Sequence, residues 1–179
     1  MQKDLDYCNR HNFRALCNAL AMPGSAHALQ KAFNSYILAC ASVLLYAEVS
    51  YINLTKEDFW VLHSLCNAKN ENIKNADYIF TDSLDSTLLE SVKKGSFKDP
   101  EFSASVIYCY DSNATLYPYK LQGAGVNGSI EQSYPLSNEL AKDFLTHNTH
   151  FPMGFELYFL HTQTGEVKAL SRTTILEAL

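Results

Sequence analysis

Arginine is scarce in this chain: among 179 residues only Arg10, Arg14 and Arg172 carry a guanidinium. Arginine is the usual bidentate reader of phosphate and carboxylate, so few places can read an anion that way. The net charge is −5, and without clustered Lys and Arg the chain is not a general nucleic-acid binder. No apolar run reaches the roughly 20 residues that a bilayer span needs; the most apolar stretch, Tyr36 to Val49, suits a buried core helix. The five cysteines (Cys8, Cys17, Cys40, Cys66, Cys109) contain no C-x-x-C pair. They read as reduced, mostly buried thiols. The opening run MQKDLDYCNR is polar and unlike a secretory signal, so a cytoplasmic chain bound to neither membrane nor nucleic acid is expected. No G-x-S-x-G elbow and no G-x-x-x-x-G-K-[ST] loop occurs, which removes the commonest nucleophile and ATP motifs.

What is present is globular. Apolar residues make up 47% and charged ones 18%, and a chain of this length buries roughly 70% of its unfolded surface. Asn9 to Ala21 carries Phe13, Leu16, Cys17 and Leu20 on one helical stripe, and Pro23-Gly24 stops it. Ser35 is positioned to cap a second helix, apolar nearly all round. A strand is expected at Tyr51 to Leu54. Lys56 to Ala68 reads as a helix with Phe59, Leu62, His63 and Cys66 inward. Asp77 to Thr81 reads as a strand and Leu84 to Lys94 as a helix ended by Gly95. Ser105 to Tyr110 and Thr115 to Leu121 read as a strand pair joined at Asp111-Ser112-Asn113, their alternating tyrosines facing a half-exposed side. Pro118 would place the second of these at an edge or bulge. A helix from Ser137 to His147 and a hairpin from Phe155 to Leu170 complete the chain. Helices and strands interleave without repeats or linkers, which predicts one α/β domain over residues 1–179, a sandwich built on a mixed sheet.

Gly123, Gly125 and Gly128 in LQGAGVNG have the G-x-G-x-x-G spacing of a dinucleotide fingerprint. A true fingerprint leads directly into a helix whose first amides hold the pyrophosphate. Here Ser129 to Tyr134 and then Pro135 follow, and no helix can start before about Ser137. The glycines are therefore expected to serve the backbone, by positive φ or close approach, with an anion nest as the alternative. His147 and His150 have ligand-like spacing but no third partner nearby in sequence, and a helix C-terminus accounts for them equally well. Asp82, Asp85 and Glu90 suit a helix start. Ser171-Arg172-Thr173-Thr174 joins one guanidinium to three hydroxyls. It supports three readings: an anion-binding turn, a cap for a last helix at Ile175 to Leu179, or a pairing of Arg172 with a carboxylate or a partner protein.

Five segments in order resemble one family. They are HNFRALCNALAMPG (His11 to Gly24), KKGSFKDPEFSASVIYCY (Lys93 to Tyr110), LQGAGV (Leu121 to Val126), FPMGFEL (Phe151 to Leu157) and SRTT. Together they are similar to PhnH, a subunit of the bacterial carbon–phosphorus lyase system, over roughly residues 11 to 177. Three departures stand out: Ala21-Met22 before Pro23, Glu156 where aspartate is common, and Ser171 where proline is common. The resemblance implies a reduced fold related to pyridoxal-phosphate-dependent transferases, without the cofactor lysine and without a cofactor of its own. It implies a homodimer when isolated, and assembly with other lyase subunits that form ribose 1-alkylphosphonate 5-triphosphate from ATP and an alkylphosphonate. No catalytic residue is implied for this chain, which is expected to be inactive alone. The residues offered for anion binding or for an interface are Gly123, Gly125, Arg172, Thr173 and Thr174. The competing expectation is a stand-alone phosphonate- or nucleotide-binding enzyme of the same pathway.

Overall fold

The computed structural model describes residues 2–179, with side chains from residue 5 onward. In chain order the elements are α1 (Gln2–Ala21), β1 (His27–Ala28), α2 (Tyr36–Leu44), β2 (Ser50–Leu54), α3 (Trp60–Cys66), β3 (Lys69–Asn70), β4 (Tyr78–Thr81) and α4 (Ser86–Ser91). Then come β5 (Ser105–Tyr110), β6 (Tyr117–Gln122), β7 (Ile130–Tyr134), α5 (Asn138–His147), β8 (Glu156–His161), β9 (Glu166–Leu170) and β10 (Ile175–Ala178). Seven strands form one sheet in the order β1-β9-β8-β5-β4-β2-β3, and β10-β6-β7 form a second, antiparallel one. From β3 to β8 the large sheet is parallel; β9 runs against both β8 and β1. The mixed α/β sheet expected from the sequence is present, and the second sheet is an addition to it.

Both faces of the large sheet are covered, which is why its strands are nearly continuous apolar runs. Phe80, Ile107, Cys109, Tyr158 and Leu160 pack beneath α1, α2 and α3. Their alternates Ile79, Val106, Leu157 and Phe159 pack beneath α4, α5 and the small sheet, with Tyr119, Leu121 and Tyr134. Successive strand residues point to opposite sides, so one strand feeds two cores.

Side-chain caps set several helix starts. The hydroxyls of Ser35 and Ser137 accept from the N–H of Leu38 and Leu140, and the Asp85 carboxylate from that of Leu88. α1 buries Cys8, Asn12, Ala15, Leu16 and Ala19. The stripe expected from Phe13 and Cys17 lies outside instead, because small side chains let α1 approach α2 and β9 closely. α3 is shorter than expected: Asn53, Thr55 and Glu57 close a side-chain-bonded turn, with the Asn53 amide donating to Glu57 O at 2.7 Å. His63 is exposed rather than inward, its Nε2 3.2 Å from the Tyr51 hydroxyl. α4 ends at Val92, which is extended at φ −68°, ψ 146°, so Gly95 turns a loop rather than stopping a helix.

The expected β5–β6 hairpin does not form. β5 lies between β4 and β8, while β6 crosses to the small sheet. β6 is the middle strand there, and Pro118 sits near its start rather than on an edge. Tyr119 is buried, its hydroxyl donating to Leu136 O at 2.7 Å. The helix expected at Ile175 to Leu179 is the strand β10, paired with β6.

At the amino ends of β2 and β4, Asp77 accepts from the Ser50 N–H and hydroxyl, each at 2.7 Å, and pairs with Lys93. Burial pushes the Asp77 carboxyl up, but bonds from Lys93 and Ser50 outweigh it and hold it below 3.8. A depressed carboxyl contributes stability above its unfolded pKa and loses it as pH falls through the folded value. Asp77→Ala is expected to cost about 1.5–3 kcal/mol at pH 7. Urea denaturation as a function of pH should show that deficit shrinking only below pH 3.8.

Candidate functional site

The amino ends of β5 and β8 and the carboxyl end of β9 meet at Arg172. Its Nε donates to Glu156 Oε1 at 2.7 Å and its backbone N–H to Oε2 at 2.8 Å. Nη1 donates to Pro100 O at 3.0 Å and Pro152 O at 2.8 Å, and Nη2 to Ser103 Oγ at 2.7 Å. Four of the five guanidinium N–H groups are thus engaged within the protein. The Arg172 and Glu156 side chains are only 17% and 12% exposed. Of the readings open for Arg172 from sequence, the carboxylate partner inside the fold is the one present.

The rest of that segment is a closed turn. Thr174, almost wholly buried, accepts from the Ser171 N–H at 3.1 Å, and the three hydroxyls bond one another at 3.0–3.1 Å. Thr173 O faces Gly123: a Cβ there would lie 2.4 Å from it. A Cβ on Gly125 would lie 2.0 Å from Ala21 O and 2.9 Å from Pro23 Cδ, whereas one on Gly128 would meet nothing within 4 Å. Gly123 and Gly125 are therefore wedged between the SRTT turn and the end of α1, and Gly128 turns in open space. No helix follows; β7 begins at Ile130, so the dinucleotide spacing has no helix N-terminus to serve it.

Gly123, Gly125, Thr173 and Thr174 are thus brought together, with the Arg172 guanidinium directed to another side of the same turn. All five segments singled out in sequence connect here. SRTT touches LQGAGV, which rests on Ala21 and Pro23; through Arg172 it binds the Pro100–Ser103 loop and the Pro152 loop. Beside the two proline carbonyls that Arg172 holds, Phe102 and Phe151 stand 63% and 67% exposed.

The opposite edge of the sheet carries a cavity of about 740 Å³. It opens where Thr55, Asp82, Asp111 and Thr162 follow the carboxyl ends of β2, β4, β5 and β8. Lys56, Glu57, Tyr108 and Tyr110 also line it. Sequence reasoning passed over these residues except Asp82, which it read as part of a helix start. The signal was available: each polar residue directly follows an apolar strand, the position where open parallel sheets bind ligands. His147, in the last turn of α5, has its pKa lowered by burial and then by Lys94. Among the described residues no three His, Cys, Asp or Glu side chains are placed to hold a metal ion. Nor is any helix there long and apolar enough to cross a membrane.

An open mixed sheet, covered on both faces and cleft at its carboxyl edge, defines an α/β protein of the doubly covered class. The family model for the bacterial phosphonate metabolism protein PhnH matches residues 4–177. This chain belongs to that family, and its role lies in phosphonate metabolism. Comparison with curated proteins returns no match.

Proposed function

We propose that this chain is a subunit of the carbon–phosphorus lyase complex. It acts by assembly, supporting formation of ribose 1-alkylphosphonate 5-triphosphate from ATP and an alkylphosphonate on neighbouring subunits. The observation that carries this reading is the Arg172 junction. Five family segments converge on it, its guanidinium is engaged internally, and the loops it ties present Phe102 and Phe151 to solvent. Exposed aromatics on rigid loops are the residues that anchor protein interfaces. On the same reading the isolated cytoplasmic chain is a homodimer of a fold akin to the pyridoxal-phosphate-dependent transferases, with no cofactor of its own.

The test is co-expression with the other lyase subunits, followed by affinity capture. The wild-type chain should co-purify with them, and Phe102→Ser/Phe151→Ser should lose at least about 90% of the captured partner, as expected for two anchor residues. The variant's urea midpoint should be unchanged. Absence of association by the wild-type chain, with growth on phosphonate intact after its deletion, would sink the reading.

A further inference from the structure

The carboxyl-edge cavity plays no part in the assembly reading, yet its lining is specific. At about 740 Å³ it falls in the range of small-molecule sites, about 300–1,000 Å³. Three carboxylates, Glu57, Asp82 and Asp111, face one ammonium, Lys56. Glu57 already accepts from the Ser35 hydroxyl at 2.7 Å, and Asp111 from the Asn113 N–H and amide at 2.9 and 3.1 Å. Asp82 accepts no hydrogen bond among the described residues.

A second observation points to a ligand independently of the acids. Tyr110 lines the cavity and is only 8% exposed, and its hydroxyl has no hydrogen-bond partner among the described residues. Burial, with Glu166 adding to it, pushes the Tyr110 phenol up to about 12, so it stays a neutral donor at physiological pH. Tyr108 is raised by burial, then by Asp111 and Asp82. Both carboxylates therefore act on the Tyr108 hydroxyl and share its end of the cavity.

The chemistry narrows the ligand. A simple phosphonate or phosphate anion would meet two more negative charges than positive ones. A metal ion lacks a ligand set, since no three suitable side chains converge among the described residues. A protonated amine suits the acidic end: it donates three hydrogen bonds, and tyrosine faces attract it further. Lys56, with Thr55, Asn113 and Thr162, supplies a cation and neutral polar groups for a tetrahedral oxyanion at the other end.

We propose that this cavity binds a short-chain aminoalkylphosphonate, its ammonium at Asp82 and Asp111 and its phosphonate toward Lys56. The proposal rests on the chain's role in phosphonate metabolism, not on assembly, so capture of lyase subunits and ligand binding can fail separately. The test is titration calorimetry on the full-length chain with 2-aminoethylphosphonate, methylphosphonate, ethanolamine and phosphoethanolamine. 2-Aminoethylphosphonate should bind at one site per chain, about tenfold or more tighter than methylphosphonate or ethanolamine, the loss of one charged contact. Asp82→Asn should weaken it about tenfold and leave methylphosphonate unaffected, while Lys56→Ala should weaken both phosphonates. Unchanged urea midpoints would establish that both variants fold. No binding of 2-aminoethylphosphonate at millimolar concentration, or equal affinity for methylphosphonate, overturns the proposal. Tighter binding of phosphoethanolamine overturns it too, by assigning the site to a phosphate ester.

Discussion

Arg172→Ala is expected to destabilise the protein by about 3–5 kcal/mol, the cost of stripping one partner from a buried ion pair. The Glu156 carboxylate would keep only the Arg172 backbone N–H, and the carbonyls of Pro100 and Pro152 would lose donors at 3.0 and 2.8 Å. Lysine should recover little. Its ammonium is a compact point charge and cannot reach a carboxylate, two carbonyls and the Ser103 hydroxyl at once. Urea denaturation measures the loss, and hydrogen exchange should show it in residues 95–103 and 150–154 first, the loops that Arg172 ties. A double-mutant cycle with Glu156→Gln should be strongly non-additive, because each single change already breaks the same contact. A loss below about 1 kcal/mol, typical of an exposed ion pair, would show that the junction does not hold these loops. Because Phe102 and Phe151 ride on them, Arg172→Ala should also weaken capture of lyase subunits without altering either aromatic.

Gly125→Ala is expected to be comparably severe, at about 3 kcal/mol or more, since two costs add. The position has φ +82°, and the new Cβ would lie 2.0 Å from the Ala21 carbonyl, a backbone atom that cannot rotate away. Gly123→Ala, at φ +120° with Thr173 O at 2.4 Å, should follow closely. Gly128→Ala is the control. It has a similar φ of +76° but open space around it, and should cost only about 1 kcal/mol, the left-handed backbone penalty alone. Thermal or urea unfolding of the three variants gives the order directly. Three equal losses would mean that φ alone matters and that close approach contributes nothing.

Strong local signals in the sequence survive into the structure. The Ser35 and Ser137 caps, the apolar strands at Tyr51 to Leu54 and Ser105 to Tyr110, and the hairpin around Gly165 are short-range features written in adjacent residues. The small sheet was not legible. β7 buries only Tyr134 and β10 only Leu176, so neither carries an apolar pattern of its own. β10 reads as a capped helix until β6 is beside it. β5 and β6 look like a hairpin because the Asp111–Asn113 turn signal is real, while the strand's partners, β4 and β8, lie far away in sequence.

The candidate sites divide the same way. Composition and residue order determined the α/β class and the family segments, and the lack of a helix after Gly128 ruled against a dinucleotide site. Only the tertiary structure decided what Arg172 does, because its partners lie 16 to 72 positions away, where no spacing rule reaches. It alone also gathers Lys56, Glu57, Asp82, Tyr110 and Asp111 around one cavity. Parallel pairing aligns the strands' carboxyl ends, so residues remote in sequence share an edge in space.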